Sequence, residues 1–270
     1  MELIQQGIDN GLISFDAEQK YITYIHQGKR RNYGNPEEKV QAAAFLKLVL
    51  IYGYAPERIE QFVPVKIGSD TREADIIVYN NDEHTSDRIV VECKKEGSER
   101  ELEQAIGQAF SYAATGTVRA EYFWVTSGIK DAYFQIPEEE PKEYRTVADV
   151  PQYGADELAR FKYAKGGGLV KGQRLFDLET VTEDELTRRF KQAHDALWGG
   201  GELNPSEAFD ELDKLIFCKI WDERKPRKKG QPYDFQIFRE EPGKGKKRKN
   251  REEVEQKINR ELHNRIIALY

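Results

Sequence analysis

Three side chains are hard to place in ordinary strands: Asp75, Glu92 and Lys94. They flank two short β-rich runs, Ile76–Tyr79 and Ile89–Val91, separated by the turn formers Asn80, Asn81, Asp82 and Ser86. The pattern predicts two strands joined by a loop, with Asp75 opening the first and Glu92 and Lys94 closing the second. Side chains alternate along a strand, so Glu92 and Lys94 point one way and Cys93 the other. Two carboxylates and an ammonium thus converge where apolar strands end. Leaving such groups dry and unpaired costs several kcal/mol, so a metal ion or an ion-pair network must compensate.

A hard cation meets that need. Mg²⁺ takes oxygen ligands in octahedral geometry, one or two of them carboxylates and the rest waters or phosphate oxygens. Asp75 and Glu92 supply the carboxylates and the backbone carbonyl of Cys93 a third ligand, with Mn²⁺ as a possible substitute. Lys94 is placed to orient or deprotonate a water and to stabilise charge developing on a phosphate. Without metal the two carboxylates should raise each other's pKa, Lys94 partly opposing. Glu38, with Glu37 competing for the role, can reach the same point through water from a preceding helix. Gln108 and Tyr112 stand four apart on the helix after Lys94 and so share a face. Singly, these are a first-turn acid and a polar helix stripe. Together, the order Pro-Glu-Glu, Asp, Glu-x-Lys, Gln-x-x-x-Tyr is far less a matter of chance than any one member.

The elements that must hold these residues follow from periodicity. A strand is expected at Tyr21–Ile25, followed by basic Lys29-Arg30-Arg31 and a turn at 32–35. Pro36 begins a helix running to about Tyr52, where Gly53 stops it. A strand over 58–67, the core pair, a helix over Ser98–Ala114, and strands at Ala120–Thr126 and Tyr133–Ile136 complete the order. From Pro137 to Gly168 Pro, Gly and Glu accumulate, and a linker is expected over 156–180, between a first domain at 1–155 and a mainly helical one at 181–270. The latter should hold helices at Thr182–Leu197, opened by a capping box, at Pro205–Trp221 packing Ala208, Phe209, Leu212, Leu215, Ile216 and Ile220, and at 252–269. Residues 225–251 are basic, and read equally as a solvated loop or as a phosphate-contacting arm.

Composition sets outer bounds. The 270 residues carry a net charge of −6 with 39% hydrophobic residues, suiting one or two soluble domains. No apolar run is long enough to act as a signal peptide or membrane span. Cys93 and Cys218 lack any zinc spacing and fit two buried thiols in a reducing cytoplasm; the four histidines show no ligand spacing either. The acidic total argues against general coating of nucleic acid yet leaves room for a local basic cleft. Gly243-Lys244 has no following Ser or Thr, so no P-loop is present.

Asp75, Glu92 and Lys94 match the D-x(n)-E-x-K pattern of the PD-(D/E)xK nucleases, with Glu73-Ala74 where that pattern often carries Pro. Residues 20–155 resemble the N-terminal nuclease domain of type I restriction enzyme R subunits, through Asn35–Gln41, Ala74–Tyr79, Val91–Lys94 and Gln108–Tyr112. Gln41 departs from relatives that often carry Arg there. The resemblance implies an α/β fold with a central mixed sheet flanked by helices, and Mg²⁺-dependent cleavage of DNA by Asp75, Glu92 and Lys94. It implies a role for Gln108 and Tyr112 in DNA contact and site geometry. Residues 195–270 resemble the helical region preceding the catalytic domain of N6-adenine DNA methyltransferases, although the Asn-Pro-Pro-Tyr-type motif is absent. The joint expectation is a cytoplasmic restriction endonuclease, the front of a nuclease–methyltransferase fusion, whose partners are DNA and other restriction subunits rather than a membrane. The rival expectation is an idle DNA-binding and docking module.

Overall fold

The structure, a computed structural model, describes residues 2–95, 99–115, 117–128, 130–155, 157–198 and 204–239. The expected helix at 252–269 and the basic stretch beyond 239 lie outside these. The chain divides into two compact units, one of residues 1–145 with 150–153, the other of 146–149 with 154–270.

The first unit opens with helix α1 (Glu2–Asp9) and three short strands, β1 (Ile13–Phe15), β2 (Tyr21–Tyr24) and β3 (Lys29–Asn32), paired as an antiparallel sheet. Helix α2 (Pro36–Leu50) starts where its caps dictate. Asn35 accepts the Glu37 amide, Pro36 takes the first position, and Glu37 and Glu38 fill the first turn. A 3₁₀ turn at Pro56–Arg58 leads into β4 (Ile59–Ile67), β5 (Asp70–Tyr79) and β6 (Asp87–Cys93). Helix α3 (Glu99–Thr115) then crosses to β7 (Tyr122–Thr126), followed by β8 (Asp131–Gln135) and β9 (Arg145–Val147). The resulting sheet has six strands in the order β4-β5-β6-β7-β8-β9. β4–β5, β5–β6 and β7–β8 pair antiparallel, whereas β6 and β7 run parallel, as a helical crossover requires.

Every residue of β7 is buried, which accounts for its unbroken apolar run Tyr-Phe-Trp-Val. Phe123 and Trp124 face opposite sides: Tyr52, after α2, lies 6.3 Å from the Trp124 ring, and Phe110 of α3 lies 5.9 Å from Phe123. Helices thus cover both faces of a mixed sheet.

The second unit contains a hairpin of β10 (Gly168–Val170) and β11 (Gln173–Leu175) and two helices, α4 (Glu183–Trp198) and α5 (Pro205–Arg224). Residues 156–180, expected as a linker, instead include this hairpin and a small apolar cluster of Ala159, Ala164 and Leu175. Thr182 accepts the Glu185 amide, and Asn204 and Glu207 form a capping box ahead of α5. α4 and α5 bury Ala193, Leu197, Ala208 and Leu212 against Phe190, Leu215 and Ile216. Phe209 and Ile220, expected in that packing, are exposed, because they fall outside the stripe that Ala208 and Leu212 bury. Cys218, expected to be buried, is exposed on α5.

Candidate active site

The β5–β6 ladder ends at the pair Ile76–Val91, one step before Asp75 and Glu92. There a side chain takes over from the backbone: the Cys93 amide donates to Asp75 Oδ2 at 2.6 Å. In an extended strand a residue's N–H and C=O leave on the same edge, so the Cys93 carbonyl is also turned toward Asp75. On the far side of β6, the Lys94 amide donates to the Thr126 carbonyl at 2.9 Å. Gln41 of α2, buried, donates from Nε2 to the Asp75 carbonyl at 2.9 Å and fixes β5 from the α2 side. The polar residue at position 41 thus acts on the strand carrying the acid.

Glu92 is 1% exposed. Its Oε1 accepts from Lys94 Nζ at 2.7 Å, while no described residue donates to its buried Oε2. Burial, and after it the charge of Asp75, pushes the Glu92 carboxyl up to about 8 against the pull of Lys94. Burial likewise pushes Asp75 up to about 6, opposed by the Cys93 amide and Lys94 and reinforced by Glu37 and Glu73. Of the expected mutual repulsion, the charge of Asp75 registers on Glu92, whereas the acids that register on Asp75 are Glu37 and Glu73; desolvation leads in both. For Lys94, burial disfavours the charge, yet Glu92, Asp75 and Glu37 together hold the ammonium above its usual range. Lys94 is therefore a cation and donor at neutral pH, which suits it to orienting a water better than to deprotonating one.

The other expected residues divide. Tyr112 is buried on α3, and Gln108 donates to its hydroxyl at 2.7 Å. Burial first, then the Glu92 charge, raises the Tyr112 pKa against the Gln108 bond, which places the pair within electrostatic reach of the acids. Glu38 has a partner in Tyr24. The Tyr24 hydroxyl donates to its Oε1 at 2.5 Å, and burial raises its pKa against that bond and the charge of Arg31. Of the two first-turn acids it is Glu37 whose charge registers on Asp75, Glu92 and Lys94. One residue is 100° of helical rotation, and sequence alone did not give the phase of α2.

A buried carboxylate with an orphaned oxygen, beside a half-buried one whose charge bears on it, fits a divalent cation. Among the described residues no group of three or more His, Cys, Asp or Glu side chains could hold a metal, so any ion here rests on two carboxylates, a carbonyl and ligands from outside the chain. That is the donor set of Mg²⁺ in sites where substrate phosphate completes the shell.

Residues 36–151 match the family model of the type I restriction enzyme R protein N terminus. The match runs from α2 through β9 and so contains each of the residues just described except Tyr24 and Arg31. No curated protein sequence matches the chain. Among the described residues no helix is long and apolar enough to cross a membrane.

Proposed function

We propose that the first unit is a metal-dependent endodeoxyribonuclease of a restriction system, of the PD-(D/E)xK type. The observation that carries this reading is the buried Glu92 carboxylate, with one oxygen on Lys94 and the other unpartnered, next to Asp75. Charges so arranged are costly in a structural role and useful in a metal site. Asp75, Glu92 and the Cys93 carbonyl would hold Mg²⁺, with Mn²⁺ as a substitute. When bound, the ion supplies Lewis acidity toward a phosphodiester oxygen and lowers the pKa of a coordinated water. Lys94 donates toward the water and the developing negative charge, anchored by Glu92. The Cys93 amide locks the Asp75 carboxylate, Gln41 fixes its strand, and Gln108 orients the Tyr112 hydroxyl at the flank where DNA would lie. The match to the R protein N terminus supports DNA and other restriction subunits as partners. Residues 195–270, read from their sequence as similar to the methyltransferase helical region, we propose to be a docking piece.

The test is nicking of supercoiled plasmid by the chain with Mg²⁺, with EDTA, and with Lys94→Ala. Mg²⁺-dependent nicking lost in the variant is expected. Equal DNA binding with no cleavage by either protein would overturn the enzymatic reading in favour of an idle docking module.

A further inference from the structure

A second set of groups lies where β3 meets β4, the strand that pairs with β5. Phe62 stands on β4 between the pairs Gln61–Ile76 and Val63–Ala74, and therefore faces Asp75 across the ladder. A regular pleat would place its ring on the face of Asp75 and Glu92. Its φ is instead +56°, a left-handed conformation that a residue with a bulky side chain rarely adopts. The ring instead packs 6.2 Å from that of Tyr24, whose hydroxyl meets Glu38 of α2. Two cations of β3 sit over this ring: the Arg31 guanidinium at 3.7 Å and the Lys29 ammonium at 5.6 Å. Lys29 also donates to the Gln61 carbonyl. No described residue accepts from the buried Nε of Arg31, and Arg31 forms no ion pair within 4.0 Å among them. Lys29 and Arg31 alternate with Arg30, which lies on the opposite face, over Tyr21 and paired with Asp16 at 3.2 Å.

We propose that Lys29 and Arg31, held over Phe62, bind the phosphodiester backbone of the DNA strand flanking the phosphate cut at Asp75 and Glu92. The inference rests on the nuclease reading for its occupant. Cations stacked on an aromatic ring are pre-organised, and a guanidinium fork donates to phosphate oxygens. The strain at Phe62 then has a use: it positions the platform.

The experiment uses the full chain and a fluorescent DNA duplex in EDTA, with anisotropy read across a salt series. Lys29→Ala/Arg31→Ala should lower the slope of log K against log salt by about 2, and weaken binding on the order of 60-fold at about 0.1 M salt, since each phosphate contact contributes roughly 0.9 to the slope. Arg30→Ala should stay within about twofold of wild type, because one exposed cation already paired with Asp16 has little to lose. Arg31→Lys, which keeps the charge, should keep the slope, and thermal melts of each variant separate misfolding from lost contacts. In Mg²⁺, the double variant should raise the KM for cleavage and leave kcat in place. A wild-type slope in the double variant overturns the proposal even if cleavage by wild type is robust. A lost slope with no cleavage by wild type would instead sink the nuclease reading and leave the binding surface standing. Absence of DNA binding by wild type overturns both.

Discussion

Replacing Glu92 with Gln tests the idea that this buried carboxylate is held at a cost to the fold. Its pKa rises from an ordinary 4.5 to about 8 in the folded chain. A carboxyl with a raised folded pKa leaves stability intact below its unfolded pKa and takes it away as pH climbs toward the folded value. The loss amounts to about 3 kcal/mol at pH 7 and about 5 kcal/mol above pH 8, as orders of magnitude. Asp75, raised only to about 6, has exacted its loss by then, and Lys94, raised above 10.5, releases its contribution only at higher pH. The window from pH 6.5 to 8 therefore belongs to Glu92 among these three. Gln keeps an oxygen for Lys94 but puts an unpaired amide where Oε2 was, a penalty of about 1–3 kcal/mol. Glu92→Gln should thus be more stable than wild type at pH 8 by roughly 2 kcal/mol and no more stable at pH 5.5.

The assay is urea unfolding in EDTA, followed by the fluorescence of Trp124, which is buried in β7. Trp198 and Trp221, both substantially exposed, are first replaced by Phe so that they do not contribute. Wild type should lose stability from pH 6.5 to 8 at up to about 1.4 kcal/mol per pH unit, and the variant should be nearly flat. Saturating Mg²⁺ should restore wild type by about 2.7 kcal/mol at a hundredfold excess over Kd and do nothing for the variant. A variant that keeps the wild-type pH slope, or is less stable than wild type at pH 8, would refute the claim that Glu92 is an uncompensated buried charge.

Other consequences are open to measurement. At pH 7 Glu92 is mostly protonated in the metal-free chain, so Mg²⁺ binding should expel close to one proton and weaken as pH falls; calorimetric heats that are identical in Pipes and Tris would refute this. Tyr24→Phe strips Glu38 of its donor and should destabilise by about 1–3 kcal/mol while leaving the cleavage rate of folded protein within a few-fold, a large rate loss being evidence that Glu38 belongs to the site. Asn204→Ala removes the cap of α5 and should cost about 1 kcal/mol in unfolding of the second unit, followed by the far-UV signal, with Asn204→Ser restoring it.

The candidate residues were readable before the structure because apolar strands tolerate charge only for a reason. Asp75, Glu92 and Lys94 stood out by that rule; Lys94 pairs with Glu92 at 2.7 Å, and the charge of Asp75 bears on both. The strands around them were underread. β5 begins at Asp70 rather than Ile76 because its first residues, Asp70 to Glu73, are exposed and paired only through β4, a contact that leaves no apolar mark. β3, Lys-Arg-Arg-Asn, resembles a basic turn because its strand character comes from pairing with β2. The β10–β11 hairpin was missed behind three glycines, although Lys171-Gly172 between Val170 and Gln173 was a local signal: both have positive φ, at 49° and 80°, as the tight hairpin turn requires.

On the proposed reading, Asp75 serves the fold and the chemistry together. The ladder stops at Ile76–Val91, and the next amide, that of Cys93, finds its acceptor in Asp75 Oδ2 rather than in a carbonyl. The carboxylate is therefore fixed by a backbone group that would otherwise be a buried, unpaired donor. These two duties separate by substitution. Asp75→Asn keeps an oxygen for the Cys93 amide and sheds the desolvated charge, so it should fold at least as stably as wild type at pH 8. Asp75→Ala leaves the Cys93 amide bare and should lose about 1–3 kcal/mol. Both should lose Mg²⁺ affinity and cleavage. If Asn proves as destabilising as Ala in EDTA, the carboxylate is needed for folding as a charge, and the assignment of that charge to a metal ion fails.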